Sequence, residues 1–217
     1  MKTRWLNGLV NSIRNQGRYL VPVLLFLTVL LINSTDSTQA AGPKLEPRKG
    51  RFLVATENLS NTSFKNTVIL MTHFSSSFGA QGITINRPAN IPIKEVFPEI
   101  KELKKQESSL YLGGPVRTNA IFVLMQTQRP HEGMQQVLDN IYFSVGVGAI
   151  AHGLDKAKKG EFARAYAGYA GWGPGQLQNE IERGDWIIVE ADPNIVFEEN
   201  TESIWEKLHQ SWSGNWI

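Results

Sequence analysis

The chain of 217 residues contains no cysteine. That excludes a disulfide framework, thiolate metal sites, CxxC redox chemistry, a cysteine nucleophile and a lipidated-cysteine anchor in one step. It has only four histidines, and none stands at H-x-x-x-H or H-E-x-x-H spacing, so no sequence-local metal site is expected. No G-x-S-x-G elbow is present. A usable excess of positive charge is also missing. Of 22 Lys plus Arg, four lie in residues 1–40, and of 20 Asp plus Glu only Asp36 does, so residues 41–217 carry 18 basic and 19 acidic groups. The cluster Lys101, Lys104, Lys105 is interleaved with Glu99, Glu102 and Glu107 and reads as a solvated face. Direct nucleic-acid binding is therefore not expected.

Long apolar runs are scarce as well. The longest, Tyr19 to Ile32, spans 14 residues, broken by Pro22 and Thr28. It follows a head bearing Lys2, Arg4, Arg14 and Arg18, and precedes a polar stretch ending in Ala40 and Ala41. This order is that of a secretory signal with small residues at a cut site. An uncleaved anchor is the alternative, although a spanning helix wants about 20 apolar residues. Residues 1–40 are thus expected to be a signal peptide or membrane-anchor leader, with export, a periplasmic location or membrane association through residues 19–32. Residues 41–50, with two prolines and two glycines, read as a linker, and 51–217 as one folded domain.

Within that domain, Arg51–Thr56, Thr67–Phe74 and Gln81–Asn86 read as strands, the last two as a hairpin across Ser75–Ala80. Helical character is expected around Ile93–Phe97, Glu99–Gln106 and Ala149–Lys158. Leu110–Leu112 and Ala120–Gln126 read as strands flanking a Gly113-Gly114-Pro115 turn; Asn140–Val147, Glu161–Ala170 and Trp186–Ala191 read as further strands. Glu202–Trp212 is an amphipathic terminal helix. Strands outnumber helices and several connections are too short for crossovers, which points to an α+β fold with a mostly antiparallel sheet.

The glycine-rich stretch Gly168–Trp186 invites a dinucleotide reading, because Gly171, Gly173 and Gly175 follow a strand and Glu190 ends the next one. The reading fails at Gln176, where a third glycine or alanine is required, and at Pro174, which has no N–H. The stretch is expected instead to open a helix with Gly173 as N-cap and Pro174 as first residue. Leu177 and Ile181 would share one face, and Gly184 would close the helix. Glu180 and Glu182 point to different sides and read as solubility groups. His73 sits in a buried-looking strand; His131 falls in a loop, His152 and His209 on helices, and a structural role is the default for each. Trp205 and Trp212, seven apart, would pack on one helical face.

Three segments together resemble the YqgE/AlgH family: GRFLVATENL…TVILMTHF…GAQGITINRP from Gly50 to Pro88, YLGGPV from Tyr111 to Val116, and the GYAGW…GQL…EI…W skeleton of Gly168–Trp186. The resemblance implies a single α+β domain around a bifurcated, barrel-like, mostly antiparallel sheet with peripheral helices. It implies no enzymatic activity, metal or cofactor, and some members carry the label of transcriptional regulator. Two departures stand out. The leader is unusual for a family of cytosolic proteins, and Thr72 precedes His73 where an acidic residue is common. The leading expectation is a non-enzymatic binding or regulatory domain in an envelope compartment, taking a small molecule or protein in a groove lined by Asn86, Arg87, Gly113, Gly114, Trp172 and Gln176, all at strand ends or turns. No catalytic residue is assigned on that reading. The rival is an enzyme acting on a small anionic substrate, with Arg87 holding the anion and His73 as acid or base.

Overall fold

A computed structural model describes residues 45–101, 104, 108–146 and 161–213. The leader and the expected helix Ala149–Lys158 with His152 lie outside the described residues, as does part of Glu99–Gln106. Among the described residues, no helix is long and apolar enough to cross a membrane.

Ten strands form the sheet: β1 Arg51–Ala55, β2 Val68–Ser75, β3 Gly79–Thr84, β4 Pro88–Pro92, β5 Ser109–Leu112, β6 Val116–Gln126, β7 Gln135–Leu138, β8 Ile141–Val145, β9 Phe162–Trp172 and β10 Trp186–Glu190. Among the described residues, four α-helical segments and a 3-10 turn at Glu57–Leu59 accompany them: α1 Ile93–Val96, α2 Gln176–Glu182, α3 Pro193–Val196 and α4 Thr201–Ser213. The strand order is β10-β1-β2-β3-β9-β6-β8-β7, with the β4–β5 pair branching off at β9. Every ladder is antiparallel except β5–β9. The fold class expected from the strand pattern is the one observed.

The sheet curls round its main core without closing. Its inner face holds Phe52, Leu70, Ile83, Phe122, Leu124, Ile141, Phe143 and Tyr166, and α3 and α4 add Val196, Ile204 and Leu208. The two end strands, β10 and β7, do not pair with each other. Gly50, just ahead of β1, nevertheless comes close to β7: a Cβ built on it would stand 2.6 Å from the Val137 carbonyl oxygen. Residues 45–50, expected to end a linker, are tied to this body. Gly50 N–H donates to Met71 O (2.9 Å), Arg51 reaches the Glu46 carbonyl, and Arg48 and Arg51 both engage Glu190.

One strand serves both arms of the sheet. Before Gly168, Tyr166 of β9 faces the main core while Ala165 and Ala167 face a smaller cluster with Ile93, Leu110 and Val123. Beyond Gly168 the alternation is inverted: Tyr169 faces the main core, and Ala170 and Trp172 face a third cluster with Leu53, Met71 and Leu177. Side chains on a strand change face with period two, so the inversion needs an irregular residue. Gly168 supplies it with φ +70°. On one edge of β9 runs β6; on the other, β5 pairs with Tyr166 and Ala167 and β3 with Ala170–Trp172. This split is the bifurcation.

Several expectations need adjustment. Pro88–Pro92, which carries no expected element, is an edge strand, where proline costs no ladder bond, and the helix expected around Ile93–Phe97 follows it as α1. The helix of the glycine-rich stretch starts at Gln176, two residues later than expected, with Gly175 at its N-cap. Gly173-Pro174-Gly175-Gln176 is a β-turn closed by Gln176 N–H to Gly173 O at 3.1 Å. Proline at the second position and Gly175 at φ 73°, ψ −14° in the third are the type II signature. Gly184 closes α2 as expected, at φ +79°. Asp185 N–H donates to Glu180 O and Gly184 N–H to Ile181 O, which is the Schellman pattern.

Candidate functional site

The β2–β3 hairpin builds one side of a surface groove. The β2–β3 register shifts between Met71 and His73, so Thr72 is an inserted residue. Thr72 is buried and its hydroxyl donates to Gln81 O at 3.3 Å. The insertion turns His73 outward, so this histidine is exposed rather than buried as its apolar strand suggested. Bulges re-aim side chains in this way. Opposite His73 lies Gln81, and opposite Gln81 lies Gly171 of β9. The Tyr169 ring lies over Gly171, with its edge 2.9 Å from where a Cβ would be. The hairpin tip adds Phe78, which is 85% exposed. Together these enclose a groove of about 400 Å³ lined by His73, Phe78, Gln81, Val116, Tyr169 and Trp172 with intervening small residues, and none of its lining residues is Asp, Glu, Lys or Arg. A second groove, of about 370 Å³, lies between the His131–Gln135 loop and β8.

Of the six residues expected to line a groove, Trp172 alone lines this one. The others have internal work. Asn86 extends the β2–β3 ladder: its Oδ1 accepts from Val68 N–H (2.9 Å) and its Nδ2 donates to Asn66 O (2.9 Å). Arg87, half-buried, donates to Lys65 O at 2.6 Å, and its own carbonyl accepts from Leu112 N–H at 2.8 Å. Burial draws its guanidinium below the ordinary arginine value. Gln176 bridges its helix to the preceding turn, accepting from Gly173 N–H (3.1 Å) and donating to Glu180 Oε1 (2.9 Å).

Gly113 and Gly114 do meet the glycine-rich stretch, but backbone to backbone. A Cβ on Gly113 would stand 2.3 Å from Gly168 O, one on Gly114 2.2 Å from the Tyr169 carbonyl carbon, and one on Gly168 2.4 Å from Gly114 O. Gly113 N–H donates to Ala167 O (2.8 Å) and Gly113 O accepts from Thr84 N–H (2.9 Å), so this residue stitches β3 to β9 at the branch. These glycines are needed for close approach.

The rest of the signature is a carboxylate clamp. Glu180 Oε2 accepts from the indole N–H of Trp172 and of Trp186, each at 2.8 Å, while the two indoles meet edge to face at 5.9 Å. Glu180 is therefore a structural acceptor, not a solubility group. Leu177 is buried beside the same tryptophans and Ile181 packs against them, as the i, i+4 spacing suggested.

His73 and Arg87 do not share a site. Arg87 is anchored at Lys65, ahead of Val68, and His73 lies five positions further along β2, roughly 15 Å at strand rise. Among the described residues His73 makes no hydrogen bond that would orient it as an acid or base. No group of three or more metal-ligating side chains occurs among the described residues.

An open, mostly antiparallel sheet that divides at one shared strand, with helices packed against its core clusters, defines an α+β domain of the AlgH type. Residues 52–216 match the family described as AlgH-like, and the chain belongs to that family. A UPF0301 protein of Chlorobium luteolum is 30% identical over 168 residues, spanning 77% of this chain and 87% of that protein. A UPF0301 protein of Paraburkholderia phymatum is 35% identical over 162 residues, spanning 72% and 83%. Two solved structures share the fold at 26% identity each. Protein DIP2367 from Corynebacterium diphtheriae has a TM-score of 0.64, with 78% of this chain and 89% of that one covered. The AlgH protein from Pseudomonas aeruginosa has a TM-score of 0.59, with 81% and 93% covered.

Proposed function

We propose that this protein is a non-enzymatic binding or regulatory domain whose ligand, an uncharged small molecule or protein segment, lies in the groove between the β2–β3 hairpin and Tyr169. The observation that carries the reading is the groove's lining: the exposed Phe78 ring and the half-buried Tyr169 ring beside Gly171, with no Asp, Glu, Lys or Arg. Aromatic walls with a few polar groups suit ligand recognition. The bulge at Thr72 favours the same place, since it spends a ladder position to bring His73 to the groove. Of the residues first expected to line a groove, Gln176 supports this one from behind, because it holds Glu180, which accepts from the indole of Trp172. Regulation in this reading proceeds through that ligand or partner rather than through DNA, consistent with the balanced charge of residues 41–217.

The test is an NMR titration of the isotope-labelled full chain with a library of neutral aromatic and amide fragments. Amide shifts are expected to cluster at His73, Gln81, Tyr169 and Gly171, and Tyr169→Ala is expected to abolish them. Hits that cluster elsewhere, or that survive Tyr169→Ala, overturn the assignment.

The leader places this domain in or beyond the membrane in the same proposal. The N-terminal residue of the mature protein decides it. Ala41 means cleavage and export, and Met1 in the membrane fraction means an anchor. An intact chain in the soluble cytosol overturns both.

A further inference from the structure

One end of the domain is uncharged over two long spans of sequence. The 21 residues Asn66–Asn86, which make β2, β3 and their turn, contain no Asp, Glu, Lys or Arg, and neither do the 15 residues Ala165–Asn179. The spans meet where Ala80 pairs with Trp172. Beyond that pair the hairpin tip Ser75–Gly79 and the turn Gly173–Gln176 lie side by side, since a Cβ on Gly79 would touch the backbone of Trp172 and Gly173. Ser76, Ser77, Phe78, Gly173, Pro174 and Gln176 are exposed. Phe78, at 85%, is more exposed than any other large apolar residue described.

The hairpin also overhangs its neighbour. The β1–β2 register ends at Phe52 and Leu70, and Gly50 N–H adds a last bond to Met71 O, while β2 runs on to Ser75. Four residues past Met71 are about 13 Å at strand rise. A lone exposed phenylalanine would mean little by itself. This one stands at the end of an uncharged arm, and the chain enters the domain at the same end. Glu46 O accepts from Arg51, and Arg48 and Arg51 both hold Glu190, the partner of Arg51 in the β1–β10 register. Only the 12 residues 33–44 separate this entry from the apolar run 19–32. Fully extended, they reach at most about 40 Å. The charges at the entry are Arg48, Lys49 and Arg51 with Glu46 and Glu190, so no acidic excess repels a phospholipid surface.

We propose that the tip of the β2–β3 hairpin docks on the lipid bilayer, with the Phe78 ring at the headgroup–acyl boundary and Ser76, Ser77 and the Pro174 turn among the headgroups. This docking rests on the anchor form of the leader proposed above and is independent of what fills the groove. One phenyl ring gives a free domain only marginal membrane affinity, because binding scales with the apolar area buried. A tether makes the contact intramolecular at an effective concentration on the order of millimolar, where a marginal contact suffices. Phe78 also walls the groove, so docking brings that groove to the bilayer surface.

The test exploits the missing cysteines. The full chain with Ser77→Cys carries a nitroxide and is reconstituted through its leader into phosphatidylcholine vesicles. Ser63→Cys, exposed beyond the opposite end of β2, is the control site. Paramagnetic relaxation by a water-soluble nickel chelate and by oxygen reports depth. The label at position 77 is expected to be shielded from nickel and open to oxygen, and the label at 63 to stay aqueous. Adding Phe78→Ser is expected to remove most of the shielding at 77 and to leave the melting temperature unchanged, because the ring is so exposed. High salt is expected to leave the shielding intact, since the tip bears no charge.

A chain that sediments with the vesicles while the label at 77 stays aqueous overturns the docking and leaves the anchor standing; the tip then serves a protein or a small molecule. Equal shielding at 63 and 77, or shielding abolished by salt, marks non-specific adsorption and also overturns it. A chain that stays off the vesicles, or a mature protein beginning at Ala41, overturns the anchor and the docking with it.

Discussion

Replacing Gly168 by alanine tests whether the branch of the sheet rests on a backbone crossing. Two costs add there. Gly168 holds φ +70°, where an L side chain costs about 1–2 kcal/mol. Its Cβ would also stand 2.4 Å from Gly114 O and 2.9 Å from Val116 O. Both are backbone atoms next to the β6–β9 ladder and have little freedom to withdraw. Overpacking of this kind costs typically about 1–3 kcal/mol. The sum, about 2–5 kcal/mol, is a large part of the roughly 5–15 kcal/mol that holds a domain folded. Gly175→Ala is the control, because Gly175 has φ +73° but nothing within 4 Å of its Cβ position. It carries only the first cost. Equilibrium urea unfolding separates the two variants by midpoint at unchanged slope. In melting temperature the expected losses are about 10 °C for Gly168→Ala and about 4 °C for Gly175→Ala. Equal losses would refute the crossing, since left-handed strain alone would then explain Gly168.

Three further outcomes follow from the same structure. Glu180→Ala strips two largely buried indole N–H groups of their acceptor and is expected to cost about 2–4 kcal/mol, read by denaturant unfolding with near-ultraviolet circular dichroism of the tryptophans. Asn86→Ala loses the bonds to Val68 N–H and Asn66 O and is expected to cost about 1–3 kcal/mol, with Asn86→Asp intermediate because it keeps the acceptor; no change in either variant would mark Asn86 as free for a ligand. The hydrogen bond from Arg51, aided by its charge and by Arg48, holds the Glu190 carboxyl below its ordinary value. The unfolded chain therefore binds that proton at higher pH, so this stabilisation is complete above the ordinary carboxylate range and fades as pH falls through the folded value. The carboxylate is 56% exposed and the effect is small. The melting-temperature gap between wild type and Glu190→Gln is expected to shrink on acidification.

The strands that carry an apolar signature were legible in the sequence. TVILMTHF became β2 and the GDWIIVE segment became β10, both near their expected bounds. β4 was hidden by Pro88 and Pro92, which are tolerated only because the strand lies at an edge. The four-residue β7 was too short to show an alternation. The glycine-rich stretch drew attention to the right region for an incomplete reason. Its local features, the Pro174 turn and the Gly184 stop, follow from short-range chemistry. The role of Gly168 depends on Gly114, more than fifty residues earlier, and no local pattern announces such a contact. The groove was missed for a related reason. A polar Thr72-His73 pair inside an apolar run was the available sign of a bulge, but the position of Tyr169 across from it depends on the inverted alternation after Gly168.

The shared strand also orders the life of the chain on the ribosome. Until residues 162–172 have been made, the β1–β2–β3 ladder and the β6–β8–β7 ladder have no strand in common, and the β4–β5 pair joins neither by a ladder. Each is left with an open edge of unpaired N–H and C=O groups, the kind of surface that recruits other chains. β1 waits longer still, because its outer neighbour β10 is made after β9. A chain truncated before Phe162 therefore loses more than its last quarter. It becomes three separate sheet fragments with adhesive edges, and the damage from early termination falls on everything synthesised before it.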